Sequence, residues 1–265
     1  MFKPVISLTT DFGYNDPYVG IMKGVILDIN RDCHLVDLCH GISSFNIEEA
    51  AFVLSYSYRY LPKRTVHLVV VDPGVGGSRR PILASLNDHL FVCPDNGVLS
   101  YIISANPNGI LWEIEGDHYF LKPVSSTFHG RDVFAPVAAW LSKHLDPPMF
   151  GEEISDYMLL PARPPEVSSA QIKGRVLHVD GFGNLITNIA ASLLNKHIPK
   201  EMHNRLRIRI GERIVHGLSA FYQQSPDREP VALIGSSGYL EIALPGGSAA
   251  RQLAMGFGDQ VLIAS

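Results

Sequence analysis

Val5-Ile6-Ser7-Leu8-Thr9-Thr10 runs into Asp11-Phe12-Gly13, and Val66-His67-Leu68-Val69-Val70-Val71 runs into Asp72-Pro73-Gly74. These two stretches decide the fold. Short apolar runs rich in β-branched residues read as buried strands of a parallel sheet. A carboxylate placed where such a strand stops lies at the rim of the sheet, where open α/β folds bind ligands. Two acids delivered in this way, from strands far apart in sequence, point to one shared pocket. Each Asp could also do no more than cap the helix or turn that follows it. The neighbouring residues weigh against that.

Outward from these strands, α and β patterns alternate as far as about Leu145. Tyr18 to Ile29 carries a helical stripe of Val19, Met22, Val25, Ile26 and Ile29. Leu35 to Leu38 reads as a short strand, and Ile47 to Tyr60 as a helix opened by Asn46, with Glu49 in the capping-box position. Strand-like runs follow at Ile82–Ser85, Leu90–Val92 and Ile110–Ile114, then a helical stretch from Val133 to Leu145 behind Asp132. Such alternation implies a layered α/β domain with a mostly parallel sheet. Asp146 to Ser169, rich in proline and acids, reads as an extended linker. Beyond it, Lys173–Val179, Leu206–Ile210, Val231–Ile234 and Tyr239–Ala243 are short strands between turn residues, the pattern of a small antiparallel barrel or sandwich. Two domains are therefore expected, residues 1–160 and 161–265.

Composition narrows the class. A chain of 265 residues with 46% hydrophobic and 18% charged side chains can bury a large core. A net charge of -4 provides no electrostatic footprint for nucleic acid or an anionic membrane. No run of ~18 apolar residues suggests a membrane span. The start, Met1-Phe2-Lys3-Pro4, has no secretory pattern, and three cysteines make no disulfide framework, so a cytoplasmic protein is expected. Cys33-His34 and Cys39-His40 flank one apparent strand and stand roughly 20 Å apart if extended, too far for one ion. No metal site is expected there.

Neither a Walker A loop nor a Rossmann G-x-G-x-x-G is present, and Gly74-Val75-Gly76-Gly77 lacks the Lys-Ser/Thr of a phosphate loop. That argues against a nucleotide with a polyphosphate tail. Five other segments stand out: Thr10-Asp11-Phe12-Gly13 with Asp16 and Tyr18-Val19-Gly20; Val71 to Gly76 followed by Arg79; Thr127-Phe128-His129-Gly130-Arg131-Asp132; Asp180-Gly181-Phe182-Gly183-Asn184 with Thr187-Asn188; and Ser236 to Ala243. In order and spacing, from about Ser7 to Ala250, they resemble the S-adenosyl-L-methionine hydroxide adenosyltransferases, relatives of the adenosyl fluoride and chloride synthases. The resemblance implies a Rossmann-like N-terminal domain with a small C-terminal antiparallel β-barrel. It further implies a homotrimer with sites at subunit interfaces, and S-adenosyl-L-methionine (SAM) as the substrate, with no cofactor and no metal.

Roles follow from the same resemblance. Asp11 would grip the ribose hydroxyls, since an ionised carboxylate only accepts hydrogen bonds and can take both hydroxyl protons. Phe45 and Phe128, with Tyr18 nearby, would enclose the ribose and the sulfonium, a cation that aromatic faces attract. Asp180 would meet the methionine amino group, Phe182 would stack on adenine and Asn184 would bond its edge. Ser236 would receive the methionine carboxylate beside Glu241, although an Arg of the halide-using relatives is replaced here by Ser237.

Asp72, Arg79 and His129 match the set that marks the hydroxide-transferring branch. A carboxylate beside a halide pocket would repel the nucleophile, whereas water needs a group that orients it and accepts its proton. The expected activity is hydrolysis of SAM to adenosine and L-methionine by in-line attack of water at ribose C5′. Gly130 matches the small residue of the chloride branch and keeps a chloride synthase open as an alternative. A non-catalytic adenosine or SAM sensor is the alternative from another class; it would not need Asp72, Arg79 and His129 together.

Overall fold

The structure, a computed structural model, describes residues 3–168, 170–224 and 229–264. Ser169, at the end of the expected linker, lies outside the described residues. The chain divides into two compact units, Met1–Pro161 and Ala162–Ser265.

The first unit runs β1 (Val5–Thr10), α1 (Tyr18–Ile29), β2 (His34–Cys39), α2 (Ile47–Ser57), β3 (Val66–Val70), β4 (Pro81–Leu86), β5 (His89–Pro94), α3 (Ser100–Ala105), β6 (Ile110–Glu113), α4 (Ala135–Ser142) and β7 (Glu153–Ile154). Its sheet has the order β2-β1-β3-β5-β4-β6-β7. Strands β2, β1, β3 and β5 are parallel, while β4, β6 and β7 pair antiparallel. The sheet is thus mixed, half its ladders being antiparallel, because an apolar run buried on both faces looks alike in either direction. Side chains alternate across it. Ile6, Leu8, Leu68 and Val70 pack under α1 and α4 on one face, and Val69, Val71 and Phe91 pack under α2 and α3 on the other. The chain steps from β1 outward to β2, then back past β1 to β3. That reversal between β1 and β3 is a topological switch point, where the carboxyl ends of strands leave a crevice. Asp11 and Asp72 follow those two strand ends, with Thr10 opposite Val70 in the ladder.

Two segments depart from the sequence reading. The helix expected from Val133 begins earlier, as a π-helical turn over Gly130–Phe134, and α4 closes at Ser142. Pro136 has no amide to offer the carbonyl of Asp132, which instead accepts the Leu121 N–H at 2.8 Å. The expected linker is partly structured: β7 extends the first sheet, and Asp95 and Ser100 accept the N–H groups of Met158 and Leu160.

The second unit runs β8 (Glu166–Val167), β9 (Gln171–Val179), β10 (Leu185–Ala190), α5 (Ala191–His197), β11 (Arg207–Ile210), β12 (Arg213–His216), β13 (Val231–Ile234), β14 (Tyr239–Ala243), α6 (Ala249–Leu253) and β15 (Gln260–Ala264). Seven strands follow the order β12-β11-β15-β9-β10-β14-β13, all antiparallel, with β8 added beside β9. The ends of that path, β12 and β13, come back into contact, so the sheet nearly closes into a barrel around Val176, Leu185, Ile208, Ile242 and Ile263. No helix among the described residues is long and apolar enough to cross a membrane.

Candidate active site

A cavity of about 290 Å³ opens at the switch point of the first unit. Asp11, Tyr18, Phe45, Asp72, Phe128, His129 and Gly130, all expected from the sequence, line it together. Phe12, Ser44, Val70, Val75 and Thr127 complete the wall. Of these, Phe12, Val75 and Thr127 belong to the quoted motifs, whereas Ser44 carries no sequence signal beyond its nearness to Phe45.

Asp11 stands directly after β1, and its Oδ2 accepts the Phe45 N–H at 2.8 Å. Phe45 has φ +66°, a left-handed conformation that a bulky residue rarely adopts, and the residue is 70% exposed. The carboxylate offsets that strain and presents the ring to solvent. Phe12, Tyr18 and Phe128 form an aromatic cluster, with ring centroids 5.3–6.1 Å apart.

Asp72 and Arg79 pair at close range, with side chains only 6% and 10% exposed. Arg79 Nε lies 2.9 Å from each Asp72 oxygen, and Nη2 bonds Oδ2. The same Nη2 lies 2.8 Å from His129 Nδ1. A guanidinium only donates, so Nδ1 must accept, and the proton of a neutral imidazole then sits on Nε2. Burial, and next the Arg79 charge, hold the His129 pKa below its ordinary value. His129 is therefore neutral at pH 7, with Nε2–H as its donor.

Glycines let the two loops meet. Gly76 has φ +75°, and a Cβ there would fall 2.1 Å from the Ser126 carbonyl oxygen. The loop after Asp72 thus packs against the loop before His129. At Gly130 a Cβ would meet Met22, Phe128 and Val70 at 3.2–3.4 Å, so a side chain would crowd the cavity wall.

The remaining expected residues belong to the second unit. Asp180 and Asn184 meet in the loop between β9 and β10, where Asp180 Oδ1 accepts the N–H groups of Phe182 and Asn184 and Oδ2 accepts the Asn184 amide. The carboxylate builds an Asx-type loop that leaves Phe182 82% exposed. Glu241 is buried on β14 and accepts a 3.0 Å bond from Tyr222, whose hydroxyl is pushed up to about 12 by burial and by that carboxylate. Burial, then the nearby Asp180 charge, raises the Glu241 pKa. Tyr222 had no sequence signal. Ser236 is exposed in the turn before β14, and the buried Ser237 Oγ has no partner among the described residues. No group of three or more potential metal ligands occurs among the described residues.

Residues 6–151 match the sequence model of the SAM hydroxide adenosyltransferase N-terminal domain, and residues 174–262 match that of its C-terminal domain. An (R)-S-adenosyl-L-methionine hydrolase of Methanocaldococcus jannaschii is 36% identical, with 98% of this chain and 95% of that protein covered. One of the same name from Salinispora tropica is 34% identical, covering 98% and 97%. A fluorinase of Nocardia brasiliensis is 24% identical over 91% of this chain and 90% of its own. A crystal structure of an uncharacterized conserved protein from Thermotoga maritima superposes with TM-score 0.92 at 36% identity, over 98% of this chain and 100% of that one. Match of both domains, in order and over nearly the whole chain, shows that this protein belongs to the SAM hydroxide adenosyltransferase family.

Proposed function

We propose that this protein hydrolyses SAM to adenosine and L-methionine, with water as the nucleophile at ribose C5′. The observation that carries this reading is that Arg79 hydrogen-bonds Asp72 and His129, two residues on the wall of the cavity that also holds Asp11. A pocket meant for an anionic nucleophile would not place a carboxylate there.

The water oxygen attacks C5′ as the C5′–S bond breaks, and the bonding pair leaves with sulfur as the neutral thioether of methionine. A sulfonium needs no further activation, so the protein's task is alignment and proton removal. His129 donates from Nε2 to orient the water oxygen, and Asp72 accepts the proton that the attacking oxygen sheds. Arg79 fixes both groups relative to each other. Asp11 takes the ribose hydroxyls, while Phe45 and Phe128, with Tyr18, exclude bulk water from the sulfonium. Gly130 leaves room for the reacting centre.

In the barrel unit we assign the Phe182 ring to adenine, Asn184 to its edge, and Ser236 to the methionine carboxylate. Asp180 and Glu241 supply negative charge for the amino group. Residues 1–160 thus carry the ribose and water-activating groups, and 161–265 the adenine and methionine contacts. We place the protein in the cytoplasm, which its free cysteines suit, as a homotrimer with sites at subunit interfaces.

The test is turnover of SAM in ¹⁸O-water, with and without chloride. Adenosine carrying the label at its 5′-hydroxyl is the expected product. Unlabelled adenosine, or 5′-chloro-5′-deoxyadenosine as the main product in chloride, would replace water by another nucleophile.

A further inference from the structure

Beneath Asp11 lies a buried polar series that the reaction does not use. The Thr10 hydroxyl is 2.7 Å from His40 Nδ1, His40 Nε2 is 3.1 Å from Asp37 Oδ1, and Lys23 Nζ donates to Asp37 Oδ2 at 2.7 Å. Thr10 and the His40 ring are fully buried. Between Leu8 and Thr9 the β1–β2 register shifts, and this bulge brings His40, just past β2, beside the end of β1.

The directions of these bonds follow from the groups themselves. Lys23 and His40 hold Asp37 below the usual carboxylate range despite its partial burial, so it accepts and His40 Nε2 carries the proton. Nδ1 then accepts, and the Thr10 hydroxyl donates to it. That leaves Thr10 Oγ1 free to accept the Phe12 N–H, at 3.2 Å. The His40 carbonyl takes the Gly13 N–H at 2.9 Å, and the Tyr14 ring packs edge-on against the imidazole at 5.0 Å. Residues 10, 12, 13 and 14 are thus all tied to His40 or its partner. Asp11 sits in the middle of this tied segment, and its carboxylate lines the cavity beside the Phe12 ring.

We infer that His40, with Asp37 behind it, is a positioning residue that fixes the Thr10 hydroxyl and so aims the Asp11 carboxylate at a vicinal diol. This rests on the reading of Asp11 as the ribose contact. Nothing in the series touches substrate; it acts by holding the backbone on both sides of Asp11.

The test is calorimetric titration of the full chain with adenosine and with 2′,3′-dideoxyadenosine. Overall loosening weakens both ligands alike, whereas misaiming Asp11 costs only the diol. Thr10→Val removes the hydroxyl at constant shape, and His40→Gln keeps the group facing Asp37 but loses the one facing Thr10. Each should lower the adenosine-to-dideoxyadenosine affinity ratio by about tenfold, the worth of one hydrogen bond to a charged group. Thr10→Ser and His40→Asn, which retain the Thr10–His40 bond, should keep the wild-type ratio. An unchanged ratio in a folded Thr10→Val or His40→Gln protein would overturn the inference. Wild-type protein that binds both nucleosides equally would instead overturn the diol reading of Asp11, and this inference with it.

Discussion

Asp11 and Phe45 hold each other in place: the carboxylate accepts the Phe45 N–H at 2.8 Å, and the phenylalanine stays left-handed at φ +66° because of it. One oxygen of Asp11 therefore has a structural duty, and the remaining lone pairs face the cavity. On the proposed role of Asp11, diol recognition and the pose of the aromatic wall would be coupled through one side chain.

Asp11→Asn separates the two duties. The amide oxygen can still take the Phe45 N–H, but the charge that strengthens bonds from ribose hydroxyls is gone. Each such charge-assisted bond contributes about 1.5–3 kcal/mol, so adenosine affinity should fall at least roughly tenfold. Affinity for 2′-deoxyadenosine should fall less. Equal losses, measured by titration calorimetry, would mean that Asp11 does not read the diol.

Gly76→Ala probes the contact between the loops that carry Asp72 and His129. Left-handed backbone alone costs a non-glycine residue about 1–2 kcal/mol. The added methyl would also meet the Ser126 carbonyl oxygen at 2.1 Å. The variant should lose stability in urea unfolding by more than the backbone cost and lose turnover as the His129 loop shifts. Wild-type stability and turnover would show that the two loops do not depend on this approach.

Much of this arrangement is legible in the residues. Asp11 and Asp72 could be placed at the sheet rim because each follows a buried strand rich in β-branched residues, and both do line the cavity there. Asn46 could be read as a helix cap, and it does accept the Glu49 N–H at 3.1 Å. The Asn46 N–H goes to the Ser43 carbonyl at 3.0 Å, and the Glu49 carboxylate accepts the Ser43 N–H. Thr10, His40 and Asp37 carry no such signal. They lie up to 30 residues apart and meet only through a parallel ladder with a bulge. The antiparallel half of the first sheet escaped for a related reason: burial on both faces erases the alternation that distinguishes strand partners.

A second buried series should set an acid limit on stability. Ser7 Oγ, His67 and His89 are linked across β1, β3 and β5 by contacts of 2.7 and 3.1 Å. Burial, with His89 adding to it, lowers the His67 pKa from 6.5 to about 3. The imidazole stays neutral when folded and takes up a proton when unfolded, so its contribution is complete above pH 6.5 and is lost as pH falls toward 3. Unfolding free energy should drop by up to ~1.4 kcal/mol per pH unit across that window from this group alone. His67→Gln should flatten the slope in urea titrations at pH 7, 6 and 5. An unchanged slope would place the acid sensitivity elsewhere.

The last prediction concerns the roles of Asp72 and His129. Arg79 bonds both, through Nη2, so removing either partner disturbs the alignment of the other. Asp72→Asn removes the proton acceptor and should lower the single-turnover rate by about 10²–10⁴-fold, the usual contribution of a positioned base. His129→Ala removes the donor that orients water and should fall in the same range. The double variant should be far less than additive, because the residues act as a unit. Affinity for adenosine should change little in all three, since water is the partner lost. The glutamine variant distinguishes donor from base, since an amide can donate but cannot take up a proton. Protonation of His129 would place a second cation against Arg79 and break its Nδ1 contact, so activity should fall only below the lowered pKa, on the acid side of 6.5. His129→Gln, whose amide can still donate from the Nε2 position, should retain more activity than His129→Ala and lose that acid limb. If glutamine is no better than alanine, the imidazole is acting as the base and Asp72 is not.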